Sequence, residues 1–400
     1  MSVSAETARG SGAPASAAEI VAAIDRSALA FAAAALLLGT LIIGYEVSPK
    51  MASLFLIGAG LGAALLHGAF GFTAGWRNCV TKSDGRGLRA QLWVIAFTAL
   101  FFIPLINGMV PGLAVQGAIA PVGTSLIVGS FLFGLGMQLA NGCGSGTLFT
   151  LGGGSGRMLI TLVAFIIGSV VGSIQLPWWL DQPGFDPVNL AEFLTVPGAL
   201  VAIFVGLALV GALTFLMEKR ANFMAPAKKP GHFLRGPWPL LWAGGALVVL
   251  NLLTLLIAGH PWTITYGFAL WGAKAAQAIG IDMSAYEFWQ WPKGDQALHT
   301  SLLADVTSVM NIGLVLGAMA AAALAGSFAK APLPSAKSAL AAVIGGLLMG
   351  YGARLGFGCN IGAFLGGIAS GSLHGWIWFA SAFLGTLIGI RLRPAFGLAN

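Results

Sequence analysis

Residues 129–156 and 345–372 are copies of one another. The first segment reads GSFLFGLGMQLANGCGSGTLFTLGGGSG and the second GGLLMGYGARLGFGCNIGAFLGGIASGS. With Cys143 set on Cys359, the pairs Gly129/Gly345, Gly134/Gly350, Gly136/Gly352, Leu139/Leu355, Gly142/Gly358 and Gly146/Gly362 align without a gap. A chain built this way must fold as two related halves. When such a chain is also strongly apolar, the duplication marks a repeat-built transporter whose site lies near the repeat interface.

Composition supplies the second condition. Charged residues make up 8% of the chain and apolar residues 57%, against about 25% charged in soluble domains. A soluble surface cannot be built from so few charges, so most of the chain must face lipid or line a membrane interior. The net charge of +7 falls in loops that flank apolar runs, which excludes a nucleic-acid-binding face. The three cysteines lack the spacing of a zinc site or a disulfide framework. No metal and no cofactor is expected. Residues 1–28 are Ala/Ser-rich, without the basic start and short apolar core of a cleavable signal.

Apolar runs long enough to cross about 30 Å of hydrocarbon lie near 28–48, 90–110, 118–140, 157–178, 195–217, 237–259, 302–326, 338–356 and 374–391. Four further segments, near 52–74, 143–155, 262–281 and 359–372, look too short or too Gly-rich to cross alone and are expected to be re-entrant half-helices. The expected fold is therefore an all-α polytopic membrane protein of two inverted repeats, with about nine transmembrane helices and four half-helices. Its parts are a polar tail 1–27, a first membrane repeat 28–178, a linking helix and basic loop 179–236, a second repeat 237–393 and a C-terminal tail 394–400.

Loop charges orient it. Arg77, Lys82, Arg86 and Arg89 in one loop, and Lys219, Arg220, Lys228, Lys229 and Arg235 in another, predict the cytoplasmic side, as do Lys330, Lys337, Arg391 and Arg393. Acidic loops 178–194 and 282–300 fit the outside. The N-terminus is then expected in the periplasm and the C-terminus in the cytoplasm of a multi-pass inner-membrane protein. Trp178, Trp179, Trp238, Trp242, Trp289 and Trp291 resemble an interfacial belt.

Each repeat cysteine sits in a Gly-rich turn that opens a half-helix, NGCGSGT at 141–147 and GFGCNIG at 356–362. Glycine admits close backbone approach and φ > 0, and a helix N-terminus offers free N–H groups to an anion. A thiol there adds a soft, weak donor. The candidate substrate path is Asn141, Gly142, Cys143, Gly144, Ser145, Gly358, Cys359 and Asn360. The plainer alternative is that small residues merely let helices pack, but that accounts poorly for two copies at equivalent positions.

At these motifs the chain resembles the YeeE/YedE family of bacterial inner-membrane proteins, over roughly residues 30–395. The resemblance implies uptake of a sulfur-containing anion, thiosulfate being the characterised substrate, along an hourglass-shaped path where thiols pass the ion by S–H···S and S–H···O contacts. It also implies inverted repeats with half-helices. Characterised members carry a third cysteine in a pattern close to FCxTGxFR. Here that stretch runs Phe70-Gly71-Phe72-Thr73-Ala74-Gly75-Trp76-Arg77, with Gly71 in the cysteine's place. Cys79, eight residues on, either substitutes for it or is incidental beside the basic loop.

Three charges fall at membrane depth, where each costs about 2.5–3.5 kcal/mol or more. Lys274 and Arg354 either attract a dianion or serve structure, Lys274 by pairing with Asp305 and Arg354 by snorkelling. Asp305 either holds Lys274 or carries a coupling proton. His67 and His374 receive no role, and GGGSGR at 152–157 lacks the Lys-Ser/Thr of a phosphate loop. The function expected is transport of a small inorganic sulfur anion across the bilayer, not catalysis. Sulfite, sulfide and selenium analogues stay open as substrates, as do channel and coupled carrier. The rival is a membrane thiol oxidoreductase or sulfurtransferase-linked protein, which would need cysteines close enough to exchange electrons or sulfur. A cytoplasmic sulfurtransferase-type partner fits either case.

Overall fold

The computed structural model describes residues 24–225, 231–328 and 334–400. Lys228, Lys229, Lys330 and most of the tail 1–27 lie outside the described residues. Helices dominate because the runs are apolar and begin at recognisable caps. The chain forms α1 (Arg26–Glu46), α2 (Pro49–His67), α3 (Phe72–Lys82), α4 (Arg86–Ile106), α5 (Thr124–Ala140), α6 (Gly144–Gly152), α7 (Gly156–Leu180), α8 (Leu190–Arg220), α9 (Leu240–Ala258), α10 (Thr265–Ala278), α11 (Glu287–Gln290), α12 (Pro292–His299), α13 (Val306–Leu324), α14 (Ala336–Leu355), α15 (Gly366–Ala369) and α16 (Leu373–Leu392), with a π-helical stretch Asn360–Leu365 leading into α15. A single pair of two-residue strands, β1 (Val122–Gly123) and β2 (Gly184–Phe185), ties two loops together antiparallel, with Val122 opposite Phe185. Asp25 caps α1, Ser48 caps α2 ahead of Pro49, and Asn189 caps α8 through its Oδ1, each accepting an N–H that the first turn would leave unpaired.

Among the described residues ten helices or helix pairs are long and apolar enough to cross a membrane. α1 and α8 leave Leu37, Leu38, Leu41, Val201, Leu209 and Leu213 exposed. That is a lipid-facing surface rather than a soluble one. The protein is an all-α, multi-pass membrane protein.

Nine crossings were expected; the tenth is α2. Its segment reads as broken because of Gly58, Gly60 and Gly62, but a Cβ on Gly58 would run into the Met310 carbonyl and one on Gly62 into the Leu314 carbonyl. These glycines are contact points, not breaks. They let α2 lie backbone to backbone along α13, in the manner of small-residue interfaces in membranes. The short helix of that region is instead α3.

The same device recurs. Gly168 and Gly350 bring α7 and α14 together in parallel, and Gly134 and Gly385 join α5 to α16 in parallel. α5 and α14, which lead into the two cysteines, run antiparallel: Gly129 meets Leu355 and Gly356, while Gly345 meets Ala140. Four long helices each end in a break followed by a short helix: α2/α3 at 68–71, α5/α6 at 141–143, α9/α10 at 259–264 and α14/α15 at 356–359.

One end of the bundle is basic. Arg89 pairs with Glu218 at 2.9 Å, joining α4 to α8, and Arg86 pairs with Asp84 at 2.7 Å. The Arg86 hydrogen bond holds the Asp84 carboxyl below the ordinary carboxylate range. At this end Trp238 donates its backbone N–H to the His67 carbonyl at the close of α2. Because α13 runs parallel to α2, its last residues lie here too, and the Asp25 amide bonds to Ala323 at 3.1 Å. Arg393, after α16, reaches Gln138 and Asn141 at the end of α5. The described chain thus begins and ends at one end of the bundle. The extra crossing of α2 accounts for this placement. At the other end α11 and α12 cover α10. Trp289 is buried there, its indole donating to Ser173 Oγ at 3.1 Å, so it is a core residue and not part of an interfacial belt.

Candidate functional site

The duplicated cysteines cap the two short helices that follow the breaks in α5 and α14. Asn141, at φ 64°, turns the chain out of α5, and Cys143 then accepts the Gly146 N–H on its Sγ at 3.4 Å, with Ser145 Oγ also 3.4 Å away. After α14, Phe357 and Gly358 take φ of 57° and 152°. The second value is one that only glycine adopts readily. Cys359 then accepts the Ile361 N–H at 3.5 Å. Sulfur takes the place that Ser or Asp fills at an ordinary cap, and being a weak acceptor it leaves those N–H groups underused.

The two caps meet. A Cβ placed on Gly144 would sit 3.3 Å from Cys359 Sγ and 3.6 Å from Ile264 Cγ2. Both cysteines are enclosed, Cys143 at 1% and Cys359 at 0% exposure, and both are free thiols. Polar atoms without partners surround them. Asn360 is fully buried with neither side-chain atom bonded among the described residues, and Asn311, which donates to the Ile264 carbonyl, leaves its Oδ1 unpaired. Such groups are rare in a folded interior, since each costs about 1–3 kcal/mol when left unmade.

Arg354 lies beside Cys359 in a cavity of about 340 Å³ that Thr265, Tyr266, Lys293, Gly358 and Gly362 also line. Its Nη2 donates to Thr265 Oγ1 at 2.8 Å, while its buried Nε has no partner among the described residues. Lys293, whose ammonium sits 4.8 Å from the Tyr266 ring centroid, adds a second cation to the same cavity. Sequence reasoning missed Lys293 and Tyr266. Nothing local marks them, because α12 reaches the cavity only by folding over α10.

Lys274 does not pair with Asp305. Its Nζ donates to the carbonyls of Leu298 at 2.9 Å and Thr300 at 2.7 Å, tying α10 to the end of α12. Asp305 instead caps α13, accepting the Ser308 N–H at 2.7 Å. Each satisfies backbone groups close to it, which removes the need for a partner across the bundle. Cys79 lies near the end of α3, next to the basic loop, and is buried at 2% exposure rather than open to water. Gly71 caps α3 at φ −98° without side-chain help.

Residues 67–388 match the family described as sulphur transport. The chain belongs to that family. Within it, the chain is 27% identical over 334 residues to the thiosulfate transporter TsuA of Spirochaeta thermophila, covering 80% of this chain and 92% of the relative. It is 25% identical to the Escherichia coli K12 protein of the same name over 82% of this chain and 90% of that one. It is 32% identical to the E. coli probable transporter YedE over 163 residues, 40% of this chain and 39% of the relative. The sulphur transport match spans both cysteine motifs and every break described above.

Proposed function

We propose that this protein carries a sulfur-containing inorganic anion, thiosulfate, across the bacterial inner membrane, through the constriction that Cys143 and Cys359 form. The observation that carries the proposal is the meeting of two cysteine-capped helix N-termini beside fully buried, unpartnered Asn360. A dianion entering a low-dielectric interior loses solvation worth tens of kcal/mol in the ideal limit. It needs donors ready in place. Underused N–H groups, the Asn360 amide and the Arg354 guanidinium are such donors.

The thiols suit passage better than capture. A hydroxyl or ammonium would bind the ion strongly, whereas conduction requires sites weak enough to leave. An S–H is a weak donor on a polarizable atom, matched to the soft terminal sulfur of thiosulfate. In this proposal the cavity of Arg354 and Lys293 is the outer vestibule, and the basic end of the bundle is cytoplasmic by its Lys and Arg content. Both described chain ends then face the cytoplasm. The antiparallel run of α5 and α14 supports reading the two halves as inverted repeats and the four short helices as re-entrant. Cytoplasmic hand-over to a sulfurtransferase-type protein is compatible with this arrangement, and no catalytic role is assigned.

Uptake of labelled thiosulfate by cells expressing the protein, with sulfate, sulfite and selenite as competitors, tests the proposal. Thiosulfate accumulation above the empty control is expected, with sulfate, sulfite and selenite competing less well than unlabelled thiosulfate because none carries its terminal sulfur. Accumulation no greater than the control overturns it.

A further inference from the structure

Beyond the end of α5, where the bundle is basic, three arginines from three different elements close on one spot. Arg77 of α3 donates from Nη1 to Asn141 Oδ1 at 2.9 Å. Arg393, after α16, donates from Nη1 to the same oxygen at 3.2 Å and to the Gln138 carbonyl at 2.5 Å, while its Nε and Nη2 donate to the Ala399 carbonyl. Arg157 of α7 reaches the Leu139 carbonyl at 2.7 Å, the Ala140 carbonyl, and Ser338 Oγ at 2.9 Å. Two guanidinium groups sharing one amide oxygen lie side by side, and both stay charged at any working pH.

Among the described residues no carboxylate pairs with them. The ion pairs among the described residues are Arg86–Asp84, Arg89–Glu218 and His299–Asp295, and none includes these three. The α5 C-terminus they surround offers roughly half a negative charge. Helix capping explains Arg157 and Arg393, which hold backbone carbonyls. It does not explain Arg77, whose guanidinium touches only the Asn141 amide among the hydrogen bonds described. Two buried polar atoms at the same place also lack partners. Thr73 Oγ1 is one turn before Arg77 on the same face of α3, and Gln138 Oε1 belongs to the residue whose amide nitrogen donates to the Thr73 carbonyl at 3.3 Å. Asn141 itself is exposed while Thr73, Gln138 and Arg393 beside it are buried, and Cys143 is two residues away.

We infer that Arg77, Arg393 and Asn141, with the Thr73 hydroxyl, form a second anion site for a tetrahedral dianion of the sulfate and thiosulfate class. It receives the ion after Cys143, and in this respect it rests on the transport function proposed above. Guanidinium forks match paired oxyanion oxygens. In the absence of the ion, the Asn141 amide oxygen occupies the place of one of those oxygens.

The test uses the purified full chain in detergent. Thermal unfolding is followed in sodium sulfate, sodium thiosulfate and sodium chloride at equal ionic strength, for the wild type, Arg77→Gln and Arg77→Lys. Ligand binding to the folded state raises the midpoint by mass action. The wild type is expected to be stabilised by both divalent anions over chloride. Arg77→Gln, which removes no backbone contact, is expected to fold normally and lose most of that stabilisation, with a dissociation constant raised about tenfold. Arg77→Lys should keep part of it. An anion shift equal in the wild type and Arg77→Gln overturns the site, and so does no shift in the wild type. If cells take up no thiosulfate while the shift and its loss in Arg77→Gln persist, the transport proposal fails and the anion site stands.

Discussion

Cys143 and Cys359 are distinguished less by being cysteines than by where their sulfurs point, each into the first turn of a helix that faces the other. Removing either sulfur leaves a methyl where the ion needs a donor. At about 1–3 kcal/mol for an unmade hydrogen bond, Cys143→Ala and Cys359→Ala should each cut initial uptake of labelled thiosulfate by about tenfold or more, with the protein still folded. Cys79→Ala should keep at least about half the rate, since Cys79 lies within α3 and caps no helix; equal inactivity of all three variants would place it on the path. Gly144→Ala is a sharper probe. Its Cβ would stand 3.3 Å from Cys359 Sγ, so it crowds that thiol and narrows the constriction without replacing either cysteine, and uptake should fall while the unfolding midpoint moves little. Gly71→Cys is expected to fold, because a Cβ there meets nothing closer than Ala74 Cβ at 3.6 Å and φ is negative. Thiol-reactive labelling of that variant with and without thiosulfate would show whether the position lines the path.

Helices in this protein are held by glycine as much as by large side chains. Where a Cβ would strike a backbone carbonyl, neither partner can rotate away, so the helices must part. Gly62→Ala on α2 and Gly134→Ala on α5, facing Leu314 and Ala382 respectively, should each destabilise by about 1–3 kcal/mol or more, seen as a lower unfolding midpoint in detergent. Gly245→Ala on α9 meets nothing within 4 Å and should be neutral or stabilising by up to about 1 kcal/mol. Equal effects at the three positions would mean the close approaches are not what holds the bundle. Local composition alone reads Gly58, Gly60 and Gly62 as a broken helix and Gly142 and Gly358 as part of a turn. The second reading holds and the first does not, because a glycine that breaks a helix and one that admits a neighbour look alike until the neighbour is known.

At the scale of the molecule, the pairings fix which ends lie together. In a background lacking the native cysteines, Ser27→Cys, Lys82→Cys and Asn400→Cys should react with an impermeant reagent from one side of the membrane, and Phe185→Cys and Ile281→Cys from the other. Labelling of Ser27→Cys from the side that labels Phe185→Cys would break the parallel pairing of α2 with α13. In the proposed path the two cation groups flank the thiols, with Arg354 and Lys293 before Cys359 and Arg77 and Arg393 beyond Cys143.

Hydropathy, the duplication and the Gly-Cys turns are properties of short stretches, so the sequence by itself determined an all-α membrane protein, its breaks at 141–143 and 356–359, and the two thiols that follow those breaks. It also determined that Asn360 follows Cys359, though not that Asn360 is left without a partner. Which charges stand together was decided only by the tertiary structure. Arg77, Arg157 and Arg393 come from α3, α7 and the end of α16. Each reads alone as a flanking loop charge, while Lys274 and Asp305 read as a pair and are none. The physical reason is that a charged side chain is satisfied by whatever donor or acceptor lies within about 3 Å. That distance is set by helix packing, through contacts between residues far apart in the chain that no local pattern records.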